Sequence, residues 1–193
     1  MNLFAKLLLA GTGTLLAQAA SAQAVYDNFE SKRVVQYPNN SGTLNQAAAN
    51  PDAKANNRSA VCASYTRNPS VPYDYIIVKP AKMGDVSAYV SGEKRLSMKF
   101  RTPAAGTVVQ IALQNTAKAQ GAKHPLGRFA GSFKATSTIA DAWETLVFTF
   151  VPASPENLDP TVGPKDVDRL VISIAPNSNS GETFYFDDLM GPE

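Results

Sequence analysis

The chain ends in TFYFDDLMGPE, residues 183–193, where an aromatic run leads into two adjacent aspartates. Alternate residues of an extended chain point to the same face, so Phe184 and Phe186 are predicted to face a core together. The same alternation sends Asp187 and Asp188 to opposite faces, and they cannot both reach one ion unless the backbone is irregular. The stretch therefore predicts a final, half-buried strand that ends in two carboxylates with different surroundings.

Four other segments show the same period-two alternation: RLSMKFRT (95–102), TVVQIALQN (107–115), WETLVFTFV (143–151) and DRLVISIAP (168–176). The apolar positions predicted to face the core are Leu96, Met98, Phe100, Val109, Ile111, Leu113, Leu146, Phe148, Phe150, Leu170, Ile172 and Ile174. Clusters of Pro, Gly, Asn and Ser separate these segments, as turns and loops do. Many short strands of this kind indicate an all-β fold, a single antiparallel β-sandwich, rather than alternating βαβ units.

Helix is predicted to be scarce. The two best short candidates are NQAAANPDAKANN (45–57), which Pro51 interrupts, and KMGDVSAYV (82–90). We expect at most a turn or two in each.

The first 24 residues have the layout of a secretory signal peptide: a positive charge, an apolar stretch and a small-residue tail. Small residues permit cleavage after Ala22 or after Ala24, so the prediction is a signal peptide over 1–22 and one domain over 25–193. No apolar stretch reaches the roughly 20 residues that cross a bilayer, so no transmembrane anchor is predicted. The mature protein is expected to be exported.

The charge and the cysteine content limit which classes of binding partner and which disulfides are expected. The formal net charge is +2, from 18 basic and 16 acidic residues, and no basic run is long. This does not support a nucleic-acid partner and favours an uncharged or weakly acidic one. The single cysteine, Cys62, can form no intramolecular disulfide and is predicted to be a small buried hydrophobe.

The chain lacks the sequence signatures of common enzymes. It contains no GxSxG, HExxH or CxxC motif and no Gly-rich phosphate loop after a strand. Asp141 and Glu144 flank Trp143, but neither has an evident acidic partner on the same face, as a glycosidase needs. His124 is the single histidine, so a Ser-His-Asp arrangement would rest on it alone. No catalytic residue is assigned.

Three segments together carry a resemblance to a known family: VYDNFES (25–31), DAWETLVFTFVP (141–152) and the terminal TFYFDDLMGPE. They resemble the galactose-binding-like β-jelly-roll superfamily, which includes many carbohydrate-binding modules of secreted bacterial glycoside hydrolases. The chain also looks like secreted single-domain proteins of the Bacteroidetes type. The resemblance implies a jelly-roll sandwich that is secreted, periplasmic or on the cell surface of a bacterium.

In such modules a structural calcium ion is often bound by a glutamate of the first strand and an aspartate of the last. Glu30 and Asp187 match those positions, and Asp188 is the third candidate carboxylate. Calcium takes six to eight oxygen ligands, which carboxylates and backbone carbonyls can supply. If Asp187 is the ligand, Asp188 is left to a nearby lysine or a loop. The alternative is that both aspartates are solvated and that their charges keep an exposed strand edge from pairing with another chain.

Candidate sugar-binding residues combine aromatic rings with planar polar groups. Tyr73 and Tyr75 share a strand face and form either a small platform or a cross-strand pair. Trp143 is either a platform or a packing residue at the end of the sandwich. The remaining candidates are Gln110 and Gln114 on one polar strand face, Lys99 and Arg101 on a neighbouring candidate strand, and His124 and Arg128 in a loop. Ordinary solvated faces and loops have the same composition.

The sequence thus favours a secreted, monomeric, non-catalytic protein like a carbohydrate-binding module, whose ligand is a neutral or weakly acidic glycan. One alternative is a structural or adhesive cell-envelope sandwich that binds no sugar, and the other is a small polysaccharide-active enzyme. A sugar binder should have ligand-binding side chains on an exposed face, whereas an enzyme should have converging ionisable groups in a cleft.

Overall fold

The computed structural model describes residues 24–54, 56–120 and 124–192, and it contains twelve strands and little helix. The strands are β1 Ala24–Asp27, β2 Val35–Asn40, β3 Thr43–Ala49, β4 Val61–Thr66, β5 Ile76–Pro80, β6 Ser97–Arg101, β7 Val108–Gln114, β8 Arg128–Thr136, β9 Glu144–Val147, β10 Thr149–Pro152, β11 Arg169–Ile174 and β12 Thr183–Gly191. The helical segments are α1, Ser87–Val90, and a 3₁₀ turn, Pro155–Asn157. The predicted signal peptide over 1–22 lies outside the described residues.

The strands form two antiparallel sheets that pack face to face. Sheet I has the order β3-β4-β12-β6-β9, with β1 paired to the end of β12. Sheet II has the order β10-β8-β7-β11-β5-β2. Several neighbouring strands come from distant parts of the sequence, such as β12 with β4 and β11 with β5, and the first and last strands pair. This confirms the predicted all-β sandwich of jelly-roll type. None of the described helices is long and apolar enough to span a membrane.

The space between the sheets holds the apolar positions that the alternation predicted. All of them are buried except Phe150, which is half-buried and packs against the same core. Phe184 and Phe186 of the final strand are buried in this core too. Burying each large apolar side chain contributes about 1.5–3 kcal/mol, so this pattern carries most of the stability of the sandwich.

The segment WETLVFTFV crosses from one sheet to the other instead of forming one strand. Strand β9 pairs with β6 in sheet I, and β10 pairs with β8 in sheet II. Between them, Phe148 is fully buried and its backbone N–H donates to the Leu96 carbonyl at 3.0 Å. The period-two pattern of buried residues continues through the crossover because Phe148 faces the core that both sheets share.

One of the two predicted helices is wrong. The first part of the 45–57 candidate is strand β3, which pairs with β4 and carries a bulge between Asn45 and Ala48. Ala48 is buried in a small cluster with Trp143, so tertiary packing overrides the helix propensity of the alanine run. The second candidate is confirmed by α1, whose Tyr89 is buried.

The small cluster lies on the outer face of sheet I and contains Trp143, Cys62 and Ala48, with Tyr185 packed against it. Trp143 is 2% exposed, and its Nε1 donates to Asn50 Oδ1 at 2.9 Å. Its ring is therefore not open to a sugar, and the packing alternative is the correct one. Cys62 is buried as predicted, and burial raises the pKa of its thiol to about 12.

Candidate functional site

The outer face of sheet II carries the polar side chains that alternate with the core residues. In an antiparallel sheet, residues directly opposite each other share a face. The register places three rows across strands β8, β7 and β11: Lys134–Gln110–Ser173, Ser132–Ala112–Val171 and Arg128–Gln114–Arg169. The middle row is made of small side chains, while the outer rows are polar and mostly long. This arrangement leaves a shallow depression between two polar ridges.

A groove of ≈ 240 Å³ lies over the β8 side of this face. Its lining consists of Gln110, Arg128, Ser132, Lys134, Val151, Pro152, Ala153, Ser154 and Asn157. Strand β10 and the loop after it form one wall because β10 approaches β8 closely at Gly131. A Cβ atom at Gly131 would lie 2.3 Å from the Val151 carbonyl oxygen, so a residue with a side chain would push the wall away.

Two arginines at one end of the face are held by neutral partners. Nε and Nη2 of Arg169 donate to Gln114 Oε1 at 3.1 and 2.7 Å, which fixes the amide and turns its NH₂ group away from Arg169. Nη1 of Arg128 lies 2.9 Å from His124 Nε2. Burial, and then the nearby Arg128, lower the pKa of His124, so at neutral pH its imidazole accepts this hydrogen bond.

Arg128 has donors left over. Its Nε is buried and has no hydrogen-bond partner among the described residues. Burial also lowers the pKa of this guanidinium, a sign that the charge is partly stripped of water. An arginine side chain stays protonated in proteins, so Arg128 offers a desolvated positive charge with an unused N–H group.

Tyr73 and Tyr75, the two tyrosines predicted to form a platform, differ in their exposure and surroundings. Tyr75 precedes β5 and is half-buried, close enough to Arg169 to influence the pKa of that guanidinium. Tyr73 is 63% exposed in the preceding loop, and the buried Asp74 lies between them. Tyr75 thus borders the face, and the Tyr73–Tyr75 platform stays a prediction.

Lys99 and Arg101 do not lie beside Gln110 and Gln114, and that predicted adjacency is wrong. Strand β6 belongs to sheet I, whereas β7 belongs to sheet II, because the chain crosses the sandwich between them. Lys99 pairs with Asp188 at 2.8 Å, and Arg101 lies 3.4 Å from Asp141.

Sequence reasoning missed part of the face. Ser132 and Lys134 lie on β8, a segment that was not identified as a strand because its alternation is interrupted by Ala130, with φ of 56°, and by Gly131. The alternation of DRLVISIAP puts Arg169 opposite Leu170, Ile172 and Ile174, on the polar face, but its contact with Gln114 joins residues 55 positions apart. The polar alternation of β11 was the available signal for Arg169.

A second depression, of ≈ 350 Å³, lies at the β2 edge of sheet II. Its lining residues are Arg33, Val34, Val35, Gln36, Lys79, Pro80 and Ala81, which come from only two short segments. It has no rows of polar side chains from several strands, so we place the candidate site at the β7–β8 groove.

The two terminal aspartates have different surroundings, as predicted. Asp188 has a φ of 46° and lies in a bulge where β12 shifts register against β6. Its pairing with Lys99 confirms the expected lysine partner. Asp187 is fully buried, burial raises the pKa of its carboxyl, and Asn57 Nδ2 donates to it at 2.9 Å. The alternative of two solvated aspartates is therefore wrong for Asp187.

The carboxylates assigned to calcium by resemblance engage separate protein groups. Glu30 is exposed, and its Oε1 accepts hydrogen bonds from the backbone N–H groups of Ala60 and Val61. In the described ranges, no group of three or more His, Cys, Asp or Glu side chains is arranged to hold a metal ion. Because calcium needs six to eight oxygens, these side chains do not fit it by themselves. A calcium ion on Glu30, Asp187 and Asp188 stays a prediction.

No family model matches the sequence, and no curated protein matches it. Solved structures do match. A family 11 carbohydrate-binding module from Clostridium thermocellum, in complex with a β-1,3-1,4-mixed-linked tetrasaccharide, gives a TM-score of 0.51 at 14% identity, over 85% of this chain and 91% of that chain. The family 11 module of a cellulosomal cellulase from the same organism gives 0.51 at 14% identity, over 91% and 97% of the two chains.

An arabinose-bound α-L-arabinofuranosidase also matches, with a TM-score of 0.51 at 10% identity. The match covers 87% of this chain but 25% of the enzyme's chain, so the likeness is to one part of a larger protein. At these identities the comparisons establish the fold: a jelly-roll β-sandwich like that of carbohydrate-binding modules.

Proposed function

We propose that this protein is a secreted, monomeric, non-catalytic carbohydrate-binding protein whose ligand lies on the outer face of sheet II. The observation that carries the proposal is the groove flanked by the Gln110 and Gln114 rows. Sugar hydroxyls both donate and accept hydrogen bonds, and amide, hydroxyl and guanidinium groups match them. A similar sandwich in the family 11 module is described in complex with a tetrasaccharide, which supports the same use of this fold.

The dimensions of the face suit an extended ligand. Strands β10, β8, β7 and β11 are consecutive neighbours in sheet II. Adjacent strands lie about 4.8 Å apart, so this part of the face is about 14 Å across. The β10 wall closes one side, and the polar rows run across the strands from it. A glycan chain lying along the groove would contact several strands at once.

The alternatives are less well supported. A polysaccharide-active enzyme that hydrolyses a glycosidic bond needs two carboxyl groups about 5 to 9.5 Å apart across the sugar. The described lining of the groove consists of amide, hydroxyl, cationic and apolar side chains. A structural envelope protein does not need a polar groove built from residues on three strands and a loop.

Affinity gel electrophoresis with a panel of soluble plant, algal and microbial polysaccharides tests the proposal. We expect at least one polysaccharide to retard the protein, and Gln110→Ala to weaken that binding about fivefold, since one hydrogen bond contributes roughly 1 kcal/mol. Gln46→Ala, the same substitution in strand β3 of sheet I, is the matched control and should bind like the wild type. Unretarded migration in every polysaccharide would refute the proposal, and so would equal binding by Gln110→Ala.

A further inference from the structure

The two sheets differ in the charge of their strands. Sheet II contains four basic residues, Lys79, Arg128, Lys134 and Arg169, and its six strands contain no aspartate or glutamate. The strands of sheet I contain four acidic residues, Asp27, Glu144, Asp187 and Asp188. The outer face of sheet II is therefore a positively charged surface on a protein whose net charge is close to zero.

The cations of the two sheets also differ in their partners. On sheet I, Lys99 and Arg101 each form an ion pair with an aspartate. Among the described residues, no carboxylate forms an ion pair with Arg128 or Lys134. Neutral His124 contacts Arg128 instead. Within the described part of the chain, the two groove cations thus have no carboxylate at ion-pair distance.

Arg128 and Lys134 lie in the same groove as the candidate hydrogen-bonding residues Gln110 and Ser132. They occupy opposite outer rows of β8, six residues apart, and so flank the middle of the groove from its two ends. The guanidinium of Arg128 retains a buried N–H without a described partner. Arginine forks match the planar geometry of a carboxylate, and lysine supplies a mobile point charge.

Two acidic residues of the loop after β10, Glu156 and Asp159, do not neutralise this pair. Glu156 is exposed in the 3₁₀ turn Pro155–Asn157 of this loop. Asp159 is already engaged, because it accepts hydrogen bonds from Thr161 and from the Gly127 backbone N–H. Neither forms an ion pair with a groove cation within the described residues.

The described lining of the groove also contains no aromatic side chain. Aromatic rings are the usual partners for the apolar face of a neutral sugar. A ligand held here has to be recognised through hydrogen bonds and charge. This favours a glycan that carries negative groups over a neutral one.

We infer that the ligand of the sheet II groove is an acidic glycan, with uronate carboxylates bound by Arg128 and Lys134. The inference rests on the proposed function, because it names the class of glycan bound at the same face. Binding of this kind weakens with added salt, since mobile ions screen the attraction between the charges.

The test compares polygalacturonate with its fully methyl-esterified form, which has the same backbone but capped carboxylates. We expect calorimetry to show binding to polygalacturonate, at least a tenfold loss on esterification, and a further loss as salt is raised from low to high concentration. Arg128→Gln and Lys134→Gln should each weaken binding at least tenfold. Arg58→Gln and Lys82→Gln, which remove exposed charges outside sheet II, should not.

The outcomes separate this inference from the proposed function. Equal binding of the esterified polymer, or a preference for neutral mixed-linked β-glucan, overturns the inference while the proposed function stands. Binding of dextran sulfate or single-stranded DNA as tightly as polygalacturonate also overturns it, because the face would then attract any polyanion. If no glycan binds, the proposed function itself fails. The ligand comparison uses wild-type protein, so it stays decisive even if a variant misfolds.

Discussion

Asp74→Ala is expected to lower the free energy of unfolding by about 3–5 kcal/mol, because it leaves a buried guanidinium without its carboxylate. The side chains of Asp74 and Arg67 are both fully buried, with Arg67 Nε 3.9 Å from Asp74 Oδ2. The Asp74 carboxylate also accepts hydrogen bonds from the hydroxyls of Tyr65 and Ser41 and from the Asn68 backbone N–H. One side chain therefore joins the turn between β2 and β3, strand β4 and the loop after β4.

The terminal guanidinium nitrogens of Arg67 also bind backbone carbonyls of the surrounding loops. Its two terminal nitrogens donate to the backbone carbonyls of Ser178, Val71 and Pro72. These contacts remain in the variant, but the charge they hold is no longer balanced. The loss should therefore exceed that of an ordinary surface ion pair.

Urea unfolding followed by the fluorescence of Trp143 measures this effect, because the single tryptophan is buried. Asp52→Ala is the control. Its partner Lys54 is 83% exposed, and such a pair is worth at most about 1 kcal/mol. A loss of less than 1 kcal/mol for Asp74→Ala would show that the buried pair is not what fixes these loops.

Asp27→Ala is expected to lower the free energy of unfolding by about 2–3 kcal/mol, because three hydrogen bonds meet on this buried carboxylate. Its oxygens accept from the Phe29 backbone N–H at 2.7 Å, from Arg33 Nε at 2.8 Å and from the Tyr37 hydroxyl at 3.2 Å. Asp27 ends β1 and pairs with Leu189 of β12. The network therefore ties the end of β1 to the turn that follows it and to β2.

The expected loss is smaller than for Asp74→Ala because Arg33 is 42% exposed and water can solvate its charge. Thermal unfolding should give the same loss for Asp27→Ala in calcium and in chelator, because Asp27 is not one of the predicted calcium ligands. The calcium prediction on Glu30 and Asp187 is tested by the wild type alone, whose melting temperature should then rise in calcium and fall in chelator.

The core was predictable from the sequence because strand alternation is a local property. Whether Val109, Ile111 and Leu113 face inward depends only on the pleat of one strand. The same logic placed Gln110 and Gln114 on the outer face. The alanine run before Asn50 was misread because its strand is set by pairing with β4 and by contact with Trp143, which lies more than 90 residues away.

The site was only half predictable because it is assembled from strands that are distant in sequence. Arg128 was expected in a loop, but it begins β8 and lies opposite Gln114. Lys99 was expected beside Gln110, but the chain crosses from sheet I to sheet II between β6 and β7. Which polar faces lie side by side depends on the topology and register of the sheets. The periodicity of a single segment determines neither of them.

The central claim is that an acidic glycan binds the outer face of sheet II, and an NMR titration of the ¹⁵N-labelled protein with an oligogalacturonide tests it most directly. We expect shifts in the side-chain amides of Gln110 and Gln114 and in the backbone amides of Ser132 and Lys134, with Cys62 on sheet I unchanged. Shifts confined to sheet I, or none at saturating oligosaccharide, would contradict the claim.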